Sequence, residues 1–243
     1  RHGADKAKFI SSNDTNGFTF RGRFIDASQA CGVGFEVTQK AHNALRWLIT
    51  RQAHRNGDQA IVAWAVSGKR IPDPFANSFD LFGIVSEEPE AKQNHVDPSD
   101  AGQAFSQRLA KKLAGYRVEI GSAKEVVVMG LDSATPGRMA ITYYRELDHS
   151  EFLNRIEAWH KEYAWYQNFS KDMKFIGAPA PKDVAEAAFG RRLDEKLRKA
   201  TIERLLPCII DGQNIPFDLV ESTVRSISNR VGLASREREK SLG

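Results

Sequence analysis

Phenylalanines at 18, 20 and 24 alternate with Thr19, Arg21 and Arg23. This period of two predicts a half-buried strand over residues 18–24, with both arginines on its outer face. Over residues 38–54 the period becomes that of a helix. Ala41, Ala44, Leu45, Leu48 and Gln52 recur at steps of three and four, and Asn56-Gly57 breaks the run. Residues 59–66 are mostly apolar and β-favouring, as in a central strand. Pro72 and Pro74 mark residues 67–83 as loop. Residues 86–100 are acidic and hold Pro89 and Pro98, which suits a linker or surface excursion.

Further along, a helix is expected over residues 99–114, closed by Gly115. Residues 125–131 and 138–146 read as strands, and Pro136-Gly137 in the 132–137 connection predicts a hairpin. Asp148 and Glu151 fit a capping box for a helix that buries Phe152, Ile156, Trp159, Tyr163 and Tyr166. That aromatic stripe reads as core rather than as a cofactor site. Residues 177–181 break the chain. Helices follow at 182–189, 192–206 and 217–231, the last with Phe217, Val220, Val224, Ile227 and Val231 on one face. The class is α+β: a mixed or antiparallel sheet with strands and helices in the first part, then a mainly helical C-terminal part. As segments, residues 1–85 are basic α/β, 86–100 acidic linker, 101–180 α/β with the hairpin and aromatic helix, and 181–243 helical and basic; together they also suit one domain.

The 243 residues are 41% apolar and include 14 Phe and 4 Trp, enough for a core and too much for a solvated chain. No apolar run approaches the roughly 20 residues of a membrane span. Two cysteines make neither a disulfide framework nor a zinc cluster, so a reduced, cytoplasmic protein is expected. The N-terminus lacks a signal-peptide pattern and begins with Arg1, as a fragment or processed chain would. The net charge of +4 hides a segregation: +6 over residues 1–70, −6 over 71–104, +1 over 105–160 and +3 over 161–243. A polyanion binder shows such basic stretches. So does ordinary charge clustering, which charge alone favours because +4 is modest.

Catalytic motifs are missing. There is no phosphate-cradling glycine loop with Lys and Ser or Thr, no H-E-x-x-H and no G-x-S-x-G. Residues 31–34 (Cys-Gly-Val-Gly) are a weak fragment of a dinucleotide turn without its third glycine. His42 sits beside apolar positions and reads as structural or solvated; Cys31 and Cys208 read as small buried hydrophobes. No catalytic residue, metal ligand or cofactor is assigned.

Candidate contacts to nucleic acid are easier to find. Opposite its apolar stripe, the 38–54 helix carries Lys40, Asn43, Trp47, Thr50, Arg51 and His54, with Arg46 and Arg55 nearby. Cations neutralise phosphates, an amide bonds sugar or base edges, and an indole stacks on an unpaired base. The alternative is a solvated face with Trp47 tucked against a neighbour. Arg21 and Arg23 stand about 7 Å apart on one strand face, suited to successive phosphates or simply solvated. Arg191, Arg192, Lys196, Arg198, Lys199 and Arg204 form a denser cluster, offset by Asp194, Glu195 and Glu203 at i, i+4 spacing. Residues 132–138 offer hydroxyls, turn amides and Arg138, either an anion pocket or an ordinary hairpin turn.

Residues 17–24 (GFTFRGRF), 38–48 (TQKAHNALRWL), 62–68 (VAWAVSG), 131–142 (LDSATPGRMAIT), 177–181 (GAPAP) and 191–211, with LRKATIERLLPC at 197–208, resemble the large subunit of the type I-C CRISPR surveillance complex, Cascade. The resemblance runs from about residue 9 to the C-terminus. It matches the central and later part of that longer subunit, without its N-terminal region and its C-terminal helical bundle. It implies a non-catalytic component of an RNA-guided antiviral ribonucleoprotein. Such a subunit sits near the guide RNA 5′ handle, helps read the PAM in double-stranded target DNA, supports the R-loop and presents a surface to the helicase–nuclease. Its other implied partners are the handle-binding, backbone and small subunits. Guide pairing carries the sequence information there, and the protein supplies positive grooves and rigid scaffold. The contrasting class is a metal-dependent nucleic-acid-processing enzyme with acids from separate segments, such as Asp73, Asp80 and Asp132.

If Arg21 and Arg23 meet a phosphate backbone, changing both to Ala should lower the slope of log K against log salt by about 0.7–0.9 per lost contact. A salt titration of nucleic-acid binding reads this directly, and an unchanged slope with unchanged stability shows the pair to be solvated.

Overall fold

A computed structural model describes residues 34–83, 98–121, 125–135, 138–168 and 174–228. The strand expected at 18–24, with Arg21 and Arg23, lies outside the described residues. So do Cys31, residues 86–97 of the acidic segment, the Pro136-Gly137 turn and Val231. The elements run α1 (Phe35–Gln52), β1 (His54–Asn56), β2 (Gln59–Ala65), α2 (Ser78–Phe82), α3 (Pro98–Ile120), β3 (Glu125–Thr135), β4 (Arg138–Asp148), α4 (His149–Glu162), β5 (Trp165–Asn168), β6 (Lys174–Gly177), α5 (Pro181–Phe189), α6 (Glu195–Ile210) and α7 (Phe217–Ser228). This is the expected α+β class, with an antiparallel four-stranded sheet of order β1-β2-β3-β4 and a helical C-terminal part. The chain divides into two compact units, Arg1–Val62 with Val128–Tyr144, and Ala63–Val127 with Arg145–Gly243.

In the first unit, Asn56-Gly57 turns the chain as its sequence predicts. Gly57 takes φ 59°, and His54, Arg55 and Asn56 pair with Ile61, Ala60 and Gln59. His54 is therefore a strand residue, not the end of the helix. α1 lies on the sheet through Ile49, which packs with Ala60 and Leu131; Leu45, Ala53, Met129 and Met139 surround them. The buried stripe differs from the one expected. Ile49 is its centre, Thr38, His42, Leu45 and Leu48 are half-buried, and Ala41, Ala44 and Gln52 are exposed. Small alanines at the helix flank bury little area, so the larger Ile49 sets which face turns inward. Gly130 allows β3 and β4 to close: a Cβ there would lie 2.9 Å from Thr142 Oγ1 and 3.1 Å from Tyr143 Cβ.

The second unit is built on helices. α3 does not stop at Gly115 but continues to Ile120, and Gly121, with φ 59°, ends it. The reason is the apolar stripe Phe105, Leu109, Leu113 and Ile120, which runs past the glycine and is buried throughout. α4 buries Phe152, Leu153, Ile156, Trp159 and His160. Its N-cap Asp148 accepts from the Ser150 amide (2.8 Å) and hydroxyl (2.6 Å). Glu151 lies 3.5 Å from Arg155 instead of completing a capping box. Tyr163 ends the helix, and Tyr166 falls on β5, exposed, in a hairpin with β6 that the helical reading did not foresee. α2 is likewise an addition inside the expected loop, with Asn77 Oδ1 accepting from the Asp80 amide at 2.8 Å. α6 begins at Glu195, later than expected, because Asp194 caps it through the Lys196 amide. α7 turns the opposite way from its apolar periodicity. Leu219 is buried, while Phe217, Val220 and Val224 face solvent. Ser226 instead bonds the Ala188 carbonyl of α5 at 2.9 Å.

Three distant segments of this unit meet at Ser78. Its hydroxyl accepts from the Ala178 amide (2.8 Å) and lies 2.7 Å from Nδ1 of His160. Ser78 and His160 are both fully buried, and burial lowers the His160 pKa from 6.5 to about 4. The folded state thus holds the neutral ring, while the unfolded chain protonates below about pH 6.5. The stability contributed by neutral His160 is complete above that pH and is lost as pH falls toward 4, about 3 kcal/mol in all. Urea unfolding at pH 7, 5.5 and 4.5 should show this loss, and His160→Gln should flatten it; equal slopes in both proteins would remove the assignment.

Candidate nucleic-acid interface

α1 carries the fullest set of expected contacts. Gly34 precedes it, and Glu36 in its first turn suits the positive end of the helix dipole. Lys40, Asn43, Trp47 and Arg51 step by three, four and four residues, so they share one solvent-facing arc opposite Ile49. From Lys40 to Arg51 the arc spans about 16 Å. Lys40 meets Glu36 at 2.6 Å, but both side chains are largely exposed, so the pair holds the ammonium weakly. Trp47 is 56% exposed, and the Arg51 guanidinium stands 5.0 Å from its ring centroid. Arginine over indole is the favoured cation–π pairing, and it orients the ring without burying its outer face.

The other candidates on and beside that helix differ in their surroundings. Arg46 is exposed on the flank of the arc, and its carbonyl accepts from Thr50 Oγ1 at 2.8 Å. Arg55 Nη2 donates to the Ile49 carbonyl at 3.0 Å, closing the end of α1. His42 keeps Nδ1 2.9 Å from the Thr38 carbonyl, as a structural histidine does.

The second unit holds the α6 cluster, which is less uniform. Arg191 and Arg192 are exposed in the turn before α6, flanking buried Leu193. Lys199 is half-buried. Arg204 is absorbed by the fold: it grips Asp218 of α7 with both terminal nitrogens, one at 2.7 Å. The partner of Arg204 thus comes from another helix, not from an acid at i, i+4 on its own. Asp132 and Ser133 continue β3, and Ser133 is buried; the turn amides and the side chains of residues 134–138, on which the expected anion pocket rests, lie outside the described residues. Arg138 opens β4, and its side chain lies outside the described residues.

Sequence reading passed over a basic pocket in the second unit. α3 supplies Arg108, Lys111, Lys112, Tyr116 and Glu119, and Arg70 faces them from the loop after β2, around a volume near 660 Å³. The signal was present as cations at i, i+3 and i+4 on one helix, but the acids further along residues 105–160 brought that segment to only +1 and masked them in the charge count.

Chemistry of the enzymatic kind has little to build on among the described residues. Ser78 and His160 have the spacing of a nucleophile and base, yet both are sealed from solvent, and the serine oxygen is engaged by the Ala178 amide. Asp73 Oδ1 accepts from the Phe75 amide at 2.9 Å. Among the described residues no three His, Cys, Asp or Glu side chains gather as a metal site, and no helix is long and apolar enough to cross a membrane.

The arc and the stripe predict opposite outcomes on substitution. Ile49→Ala should cost about 2–5 kcal/mol through the cavity it leaves. Lys40→Ala, Asn43→Ala and Arg51→Ala should stay within about 0.5 kcal/mol. Chemical denaturation of the four variants measures both. A large loss at Asn43 or Arg51 would place that face against protein.

Residues 1–238 match the family model described as CRISPR-associated protein (Cas_Csd1). No protein of curated function matches the chain significantly. The match covers nearly the whole sequence, so the chain belongs to that family.

Proposed function

From this membership of the CRISPR-associated Cas_Csd1 family, we propose that the chain is a non-catalytic, nucleic-acid-binding part of the large subunit of a type I-C Cascade ribonucleoprotein. It holds the guide RNA handle or target DNA, supports PAM recognition and R-loop formation, and helps recruit the helicase–nuclease. Its partners are the handle-binding, backbone and small subunits. In such a complex the base pairs of the guide read sequence, and the protein neutralises backbones and stacks on bases that leave the duplex. The observation that carries the reading is Trp47: a large indole left exposed beside Arg51, on an arc shared with Lys40 and Asn43. A folded chain gains more by burying an indole than by displaying it, and a display flanked by cations suits an unpaired nucleotide. Arg191, Arg192 and Lys199 supply further positive charge for a backbone, and Arg21, Arg23, Arg46 and Arg138 complete the proposed set.

The test uses the assembled complex. Trp47→Ala should weaken target-DNA binding by roughly 1–3 kcal/mol with little loss of thermal stability. Arg51→Ala should weaken it and flatten its salt dependence. Wild-type affinity in both variants would remove α1 from the interface. Divalent-metal-dependent cleavage by the purified chain would overturn the non-catalytic reading.

A further inference from the structure

The basic pocket of the second unit has no part in the reading above, and its construction points to a ligand. Its α3 wall is a single stripe: Arg108, Lys111, Lys112, Gly115, Tyr116 and Glu119 fall at i, i+3, i+4, i+7, i+8 and i+11. Arg70, Ile71 and Phe82 form the facing wall. Four cations thus meet one lining carboxylate around two aromatic rings. The volume near 660 Å³ lies within the range of about 300–1,000 Å³ typical of small-ligand sites.

Gly115 is the informative residue. It lies in the interior of α3, where glycine is less favourable than alanine by about 1 kcal/mol. No positive φ is involved, and a Cβ at this position would touch nothing within 4 Å. Neither backbone conformation nor packing therefore calls for glycine. What its missing side chain does is leave the middle of the cationic stripe open. Beside it, Lys112 Nζ stands 5.7 Å from the centre of the Tyr116 ring. Burial foremost, then Glu119, raises the Tyr116 pKa, so the phenol remains a hydrogen-bond donor at neutral pH.

We propose that this pocket binds one nucleotide unit, its phosphate held by Arg70, Arg108 and Lys111 and its base lying over Gly115 against Tyr116 and Phe82. Guanidinium and ammonium groups converging on one space match a phosphate, and aromatic side chains accept any base face. The same chemistry is offered by a nucleotide within a single strand and by a free mononucleotide. The site shares no residue with the α1 arc and does not depend on it.

The experiment uses the full chain and a fluorescent ten-nucleotide oligothymidine carrying one 5-iodouracil. Irradiation should crosslink it to Tyr116 or Phe82, located by peptide mass spectrometry. Gly115→Phe puts bulk into the pocket without changing charge, from a Cβ position that touches nothing within 4 Å, so it should keep the wild-type melting temperature and reduce that crosslink at least tenfold. Lys111→Glu should reduce it as well. Trp47→Ala should leave it intact, which keeps this site distinguishable from α1. Thymidine monophosphate that competes as well as the oligonucleotide identifies a free nucleotide as the ligand; competition by the strand alone identifies a strand. Crosslinks only elsewhere, an unchanged crosslink in a folded Gly115→Phe protein, or equal competition by inorganic phosphate would overturn the proposal.

Discussion

A buried imidazole, kept neutral by its desolvation, constrains much of the second unit. Burial keeps His160 neutral, and Ser78, whose hydroxyl lies at Nδ1, is fixed by the Ala178 amide. The three residues belong to α4, α2 and the strand-to-helix passage before α5, so one pair of short contacts sets where three elements meet. A buried polar group must find its partner or lose the cost of its desolvation. That demand gives the junction a single geometry, where apolar packing alone would tolerate several. Around it Trp159 bonds the Pro179 carbonyl at 3.3 Å. Arg117 reaches from α3 to Asn154 and Glu157 at 3.0 and 2.9 Å; the Lys161 ammonium first, and Arg117 after it, lower the Glu157 pKa. α3, whose other side lines the basic pocket, is thereby tied to α4.

Much of this was legible in the residues, and the failures have physical causes. α1, β2, the β3–β4 hairpin, α4 and α5 follow from apolar periodicity with Asn-Gly, Asp and Pro signals at their ends. Gly115 misled because a glycine near the end of a pattern resembles a stop, whereas burial of Ile120 outweighs its helix penalty. Tyr166 continued the aromatic steps of α4 by chance and is a strand residue. The apolar run of α7 gave the wrong inward face, since Thr223 and Ser226 satisfy their hydroxyls on backbone carbonyls and pass close to protein, leaving Phe217 and Val224 outside.

The candidate interface residues divide in the same manner. Trp47 and Arg51 were recognisable because helical spacing alone decides that they share an arc with Lys40 and Asn43. The fate of Arg204 was not, because its partner Asp218 lies on a different helix. Arg70 and Lys111 were separated by an acidic stretch in the sequence, and only the fold sets them across one pocket. Local pattern thus identified faces, while long-range pairing decided which charges on those faces remain available.

The attachment of α1 has a dynamic consequence. Eighteen residues are held to the sheet with a single fully buried side chain, Ile49. In proteins most helical stability comes from tertiary packing, so the free energy needed to open α1 locally should lie below that of global unfolding. Its amides should then exchange with solvent by sub-global opening. A ligand seated on the outer arc would order the helix as it binds, so part of its interaction energy would appear as slowed exchange of α1 rather than as affinity.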